Sequence, residues 1–159
     1  MKNKDKVWGE AFVKAAQNKG YIVKKPTSLE YNRYINFILS GKGVDGKPQE
    51  VKLSYKPLKK TSNKNWIWVE IKNSNGKPGW LYGDSDFIVF ELEDEFLFVV
   101  RKDLLEHVNS SINFSLPLVQ NTWEAKYKIF QRKGKLDQIS QIKLKNIYDI
   151  KGNYKWNKK

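Results

Sequence analysis

Two short triplets hold the residues best suited to chemistry, Glu50-Val51-Lys52 and Glu70-Ile71-Lys72. In an extended strand, residues i and i+2 project from the same face. Each triplet therefore sets a carboxylate beside an ammonium group. Such a pair suits metal-assisted hydrolysis of a phosphodiester. The carboxylate holds a hard divalent cation, Mg or Mn, and the lysine orients a water or offsets charge on the phosphate. The two strands follow one another in the chain, which predicts a single pocket shared by Glu50, Lys52 and Glu70, with Lys72 beside them. The plain alternative is a solvent-facing strand, where opposite charges also alternate and support one another.

The charge balance points to the partner. The chain has 159 residues, 30 of them basic and 17 acidic, for a formal net charge of +13. A polyanion such as nucleic acid is the natural counterpart of such a surface, although abundant Lys, Asn and Ile also reflect an AT-rich coding bias. The excess is uneven: Lys126 to Lys159 holds eleven basic and two acidic residues, while Asp84 to Glu95 holds six acids and no base. The basic stretch is expected to bind phosphates, with Arg101, Arg132, Lys133 and Lys135 among the contacts. The acidic stretch is expected either near a metal or facing solvent.

Several classes are excluded. The chain has no cysteine, so disulfides, thiol catalysis and thiolate metal sites are out of reach. The single histidine, His107, cannot build a multi-histidine site, and no serine or aspartate pattern around it signals a triad. Gly41, Gly43 and Gly46 lack the lysine and hydroxyl ending of a phosphate-binding loop. No signal-length apolar run follows the charged start, and no stretch is long enough to span a bilayer. A cytoplasmic protein is expected, with no membrane partner.

The elements that must position these residues follow from periodicity. The pattern predicts a helix over 6–18, ended at Asn18-Lys19-Gly20, and a short strand at Tyr21-Ile22-Val23. Strands are predicted over 34–39, 49–55 and 66–72, separated by the turn-rich segment 41–48 and the basic loop 57–65. A hairpin over 87–91 and 96–100 turns at Glu93-Asp94-Glu95, and a short helix follows over 102–108. A last strand pair, 127–131 and 138–144, turns at Lys133-Gly134-Lys135. Trp66 and Trp68 share the Glu70 face, where they either pack under a helix or stack on bases; packing is the commoner fate of large aromatics. The sum is a single α+β or α/β domain over residues 1–159, a central mixed sheet flanked by helices, with a basic C-terminal segment at 126–159.

The runs Gln49-Glu50-Val51-Lys52, Trp68-Val69-Glu70-Ile71-Lys72-Asn73, Gly76-Lys77-Pro78-Gly79-Trp80-Leu81-Tyr82-Gly83 and Asp86-Phe87-Ile88-Val89-Phe90-Glu91 resemble phage and large-virus nucleases of the PD-(D/E)XK type. Gln131-Arg132, Gly134, Asp137 and Ile139 add to the likeness, which spans Tyr31 to Ile150. The resemblance implies a restriction-endonuclease-like fold and a Mg- or Mn-dependent DNA endonuclease or resolvase. It makes Glu50 and Lys52 the final triplet and Glu10 a supporting carboxylate; in the expected site Glu50 and Glu70 hold the cation, and Asn36 or Asp86 completes its shell. The pattern calls for aspartate where this chain has Asn36, which offers a carbonyl oxygen but no charge. Three readings stay open: an inactive chain, a register using Asp45 with Glu70-Ile71-Lys72, or a site drawn from Glu50, Glu70 and Asp86. The leading expectation is an endonuclease acting in DNA processing or recombination, as a homodimer if it resolves junctions. The alternative is a non-catalytic nucleic-acid binder on the same scaffold, and a third is a basic protein that blocks a host factor.

Overall fold

A computed structural model describes residues 8–42, 46–59 and 63–158. The chain folds as α+β, around a mixed six-stranded sheet. Helix α1 (Glu10–Asn18) leads into strand β1 (Ile22–Lys24), the short helix α2 (Ser28–Asn32), and strands β2 (Phe37–Lys42), β3 (Pro48–Lys56) and β4 (Trp66–Lys72). After a 3₁₀ turn at Trp80–Tyr82 come β5 (Phe87–Glu91), β6 (Glu95–Val100) and helix α3 (Arg101–Ser111). A second 3₁₀ turn at Thr122–Glu124 precedes β7 (Gln138–Lys143), α4 (Leu144–Tyr148) and β8 (Tyr154–Asn157).

The sheet runs in the order β1-β2-β3-β5-β6-β8, and β4 pairs with β7 in a separate two-stranded ribbon. All neighbours in the main sheet are antiparallel except β3 and β5. A parallel pair needs a connection that crosses a sheet face. Here β4 and the Trp80 turn make that crossing. The expected adjacency of the two Glu-x-Lys strands therefore does not arise: β4 lies on a face of the sheet containing β3, and its hydrogen bonds go to β7.

Apolar side chains cover both sheet faces. Against one face α1 buries Phe12 and Ala16 with Leu39, Leu53, Tyr55, Val89, Phe96, Phe98 and Trp156. Against the other lie Val69, Ile71 and Ile142 of the ribbon, Trp80, Leu81, Leu104, Val108 and Ile147, packed on Ile88, Phe90, Leu97 and Val99. Burial on both sides explains why β5 and β6 read as continuous apolar runs rather than alternating ones. The second cover is shared among the ribbon, the Trp80 turn and helices α3 and α4.

Three elements depart from the periodicity. Residues 34–36 do not belong to a strand; Tyr34 takes φ 66°, and β2 begins at Phe37. Residues 127–131 form only isolated bridges, Phe130 to Ile139 and Phe130 to Val119, with Tyr127 at φ 56°. The basic C-terminal segment is no separate tail: β8 pairs with β6, and Trp156 packs on Phe12 and Phe98 with ring centroids 5.7 and 4.6 Å away.

Phe12 touches Phe37, Tyr55, Phe96, Phe98 and Trp156 and is fully buried. Replacing it with alanine should cost about 3–5 kcal/mol, the usual range for deleting a buried aromatic. Urea unfolding would show the fall, and a loss below about 1 kcal/mol would mean that α1 does not hold this face.

Candidate functional site

Lys52 sits where α2, β3 and the start of β5 meet. Thr27 starts α2 with a reciprocal cap: its side chain accepts from the Glu30 N–H, and the Glu30 carboxylate accepts from the Thr27 N–H. The cap fixes Glu30, whose other carboxylate oxygen lies 3.0 Å from Lys52 Nζ. Asp86 locks β3 to β5 through both backbone groups of Lys52. Its carboxylate accepts the Lys52 N–H at 2.8 Å, and its own N–H donates to the Lys52 carbonyl at 2.7 Å. Arg33 grips Asp84 with two hydrogen bonds of 3.0 Å. Glu30 first, then Asp86 and Asp84, raise the affinity of the Lys52 amine for its proton. The Thr27 N–H and Lys52 hold the Glu30 carboxyl below the ordinary range.

The structure thus brings together Lys52 and Asp86, and adds Glu30 and Asp84, which sequence reasoning missed. Thr27-Ser28-Leu29-Glu30 carries a capping signature that announces α2. Asp84 is marked only as the first residue of the acidic stretch.

The remaining candidates lie apart. Glu50 shares the Lys52 face but pairs with Lys24 at 2.6 Å. Its cross-strand neighbour is Ser40, whereas Asn36 lies just before Phe37, the partner of Leu53. The strand rise therefore separates Asn36 from Glu50 by about 13 Å along the sheet. The Asn36 carbonyl oxygen is engaged, accepting the Tyr55 N–H at 2.7 Å. Glu10 belongs to α1, on the opposite face with Leu53 and Tyr55, and pairs with Lys14 at 3.0 Å. Glu70 and Lys72 lie on the ribbon, Lys72 exposed. Asp45 lies outside the described residues. Among the described residues no three His, Asp or Glu side chains gather as a cation-binding group. Asn36, Glu50, Glu70 and Asp86, as placed, do not fit around one Mg or Mn ion.

Glu70 has a different lysine for company. Burial pushes its carboxyl up, while Lys56 and the Trp80 backbone N–H partly offset the effect. The loop that delivers Trp80 passes so close that a Cβ at Gly79 would sit 2.5 Å from the Glu70 carbonyl oxygen. Only glycine allows that approach. Lys56 follows Ser54 along the Lys52 face of β3 and rests its amine 4.4 Å from the Trp80 ring centre. Burial lowers the Lys56 amine to about 8; Glu70 opposes the shift and Lys59 adds to it. Together Lys56, Trp66, Trp68, Trp80 and Phe90 wall a cleft of about 240 Å³ between β3 and β4.

The basic residues separate into two kinds. Arg101 donates to the carbonyls of Leu81 and Ser85, tying α3 to the loop before β5. Lys158 pairs with Glu91 at 2.9 Å and Lys155 with Glu95 at 3.8 Å. Burial pushes the Glu91 carboxyl up, but Tyr55, Lys158 and the Leu58 N–H outweigh it and hold the group below its ordinary range. Much of the acidic stretch is therefore neutralised by lysines and Arg33. By contrast Arg132, Lys133 and Lys135 are exposed on the turn before β7, Arg132 lying 3.6 Å from Asp137. Lys126 lies 5.1 Å from the Trp66 ring centre, and Lys143 stands directly across the ribbon from Trp66. His107 contacts the Tyr127 hydroxyl at 3.2 Å, and burial lowers its affinity for a proton.

The Lys56 shift has a signed consequence. Between about 8 and 10.5 the unfolded chain holds a proton on Lys56 that the folded chain has released, so this residue makes stability rise with pH in that window. Lys56→Met should be more stable than the parent at pH 7, and its advantage should fade as pH passes from about 8 to 10.5. Paired denaturation curves at pH 7 and pH 10 measure the difference; an advantage that grows with pH would contradict the burial of this amine.

The chain matches no protein-family model, no curated protein and no solved structure.

Proposed function

We propose that this protein binds nucleic acid, using the outer side of the β4–β7 ribbon and the turn before β7. One observation carries the reading: the ribbon carries the indoles of Trp66 and Trp68 and has cations at both ends, Lys126 over Trp66 with Lys143 across from it at one end, and Arg132, Lys133 and Lys135 exposed before β7 at the other. Cations hold the backbone phosphates without reading sequence, and the rings offer stacking surfaces. The net charge of +13 favours the same partner.

A metal-dependent DNA endonuclease of the PD-(D/E)XK type is the second reading. It is favoured by Glu50 and Lys52 on one strand face, with Glu30, Asp84 and Asp86 contributing to the field at Lys52. Lys52 would orient a water or offset charge on the phosphate. Among the described residues the carboxylates as placed do not make a ligand set, so binding without cleavage ranks first.

Titration of labelled single-stranded, duplex and four-way-junction DNA, with Mg²⁺, Mn²⁺ or chelator, separates the readings. Binding is expected to weaken steeply with salt as lysines displace counterions. Reversing Lys126, Arg132, Lys133 and Lys135 to glutamate should lower affinity at least tenfold without unfolding the chain. No binding at low salt to any of these probes would refute the proposal. Metal-dependent cleavage lost in Lys52→Ala with binding retained would establish the second reading in its place.

A further inference from the structure

The cleft between β3 and β4 differs from the rest of the surface in being aromatic, cationic and small. Trp80 and Phe90 form its inner wall, their ring centres 6.1 Å apart and edge to face. Trp68 leaves 36% of its surface open, and the Lys56 amine covers the Trp80 ring. Glu91 also lines the cleft, but its carboxylate is taken by Tyr55, the Leu58 N–H and Lys158. The edge of β4 turned away from β7 has no strand partner over Trp66–Val69 among the described residues. Backbone donors and acceptors therefore border an aromatic slot. At about 240 Å³ the space is below the usual range for drug-sized ligands and suits a single planar ring.

We propose that this cleft takes one unpaired nucleobase, so that the protein grips single-stranded or locally opened nucleic acid. The ring would lie against Trp68, its polar edge toward the edge of β4 turned away from β7, and its phosphate toward Lys56. A base still paired in a duplex cannot enter, because both faces are stacked and its edge is occupied. Stacking of this kind tolerates any base. The inference rests on nucleic-acid binding as proposed above, but it adds a preference that phosphate contacts alone do not supply.

The test uses three probes of equal length: an oligothymidylate, the same sugar-phosphate backbone without bases, and a duplex. Circular dichroism and urea unfolding first establish that Trp68→Ala is folded. The intact protein should bind the oligothymidylate about tenfold more tightly than the abasic backbone, the scale of losing one stacked base. Trp68→Ala should erase that difference, and Trp68→Phe should keep most of it. Affinity for the abasic backbone and the slope of binding against salt should stay the same in all three proteins, since no phosphate contact is removed. Should Trp68→Ala prove unfolded, Lys56→Met supplies the second variant, with a loss on the oligothymidylate larger than on the duplex. Equal affinity of the intact protein for oligothymidylate and abasic backbone overturns the cleft while leaving surface binding intact. A loss in Trp68→Ala of equal size on all probes overturns it too. No binding of any probe overturns the functional reading itself.

Discussion

The need to bury β5 and β6 on both faces governs the molecule. Ile88, Phe90, Leu97 and Val99 point one way, and Val89, Phe96 and Phe98 the other; all are nearly or wholly out of water. A sheet with two apolar faces needs two covers. Helix α1 supplies one with Phe12 and Ala16. The chain has few helices to supply the second, so the ribbon of β4 and β7 is laid over it with α3 and α4. The parallel pairing of β3 with β5 is the same constraint seen from the connection. The segment between them must cross a face, and what crosses is β4.

That crossing decides which charged groups can meet. Placed as a cover, β4 turns Ile67, Val69 and Ile71 toward the core side and leaves Trp66, Trp68 and Glu70 on the other. Glu70 then meets Lys56 and the Trp80 loop rather than Lys52. Lys52 in turn is reached by Glu30 from α2 and bracketed by Asp86 just before β5. Two triplets of identical spacing thus serve different surroundings, one at a charged strand junction and one beside an aromatic cleft.

Much of this was legible in the sequence. Period-two alternation marks β3 and β4, and the apolar runs on either side of Glu93-Asp94-Glu95 mark the β5–β6 hairpin. What could not be read was pairing. Consecutive strands usually neighbour one another, and no local pattern records that β4 leaves the sheet. The strand expected over 127–131 fails for a local reason: Tyr127 adopts a left-handed conformation, and its hydroxyl serves Asn146, His107 and the Lys143 N–H. Strand β8 was missed because its four residues hold one buried side chain, Trp156, among exposed ones. Charge counting over Lys126–Lys159 was right about amount and incomplete about use, since Lys155 and Lys158 spend theirs on Glu95 and Glu91.

The docking of Trp156 on Phe12 has a kinetic side. One aromatic cluster unites residues near opposite ends of the sequence, and the sheet between them is built largely from long-range pairs. Closing so long a loop costs chain entropy before the contact returns any energy. The β5–β6 hairpin, whose strands are separated by three residues, closes early and cheaply. Loop length alone therefore places the Phe12–Trp156 contact after the hairpin in the order of closure.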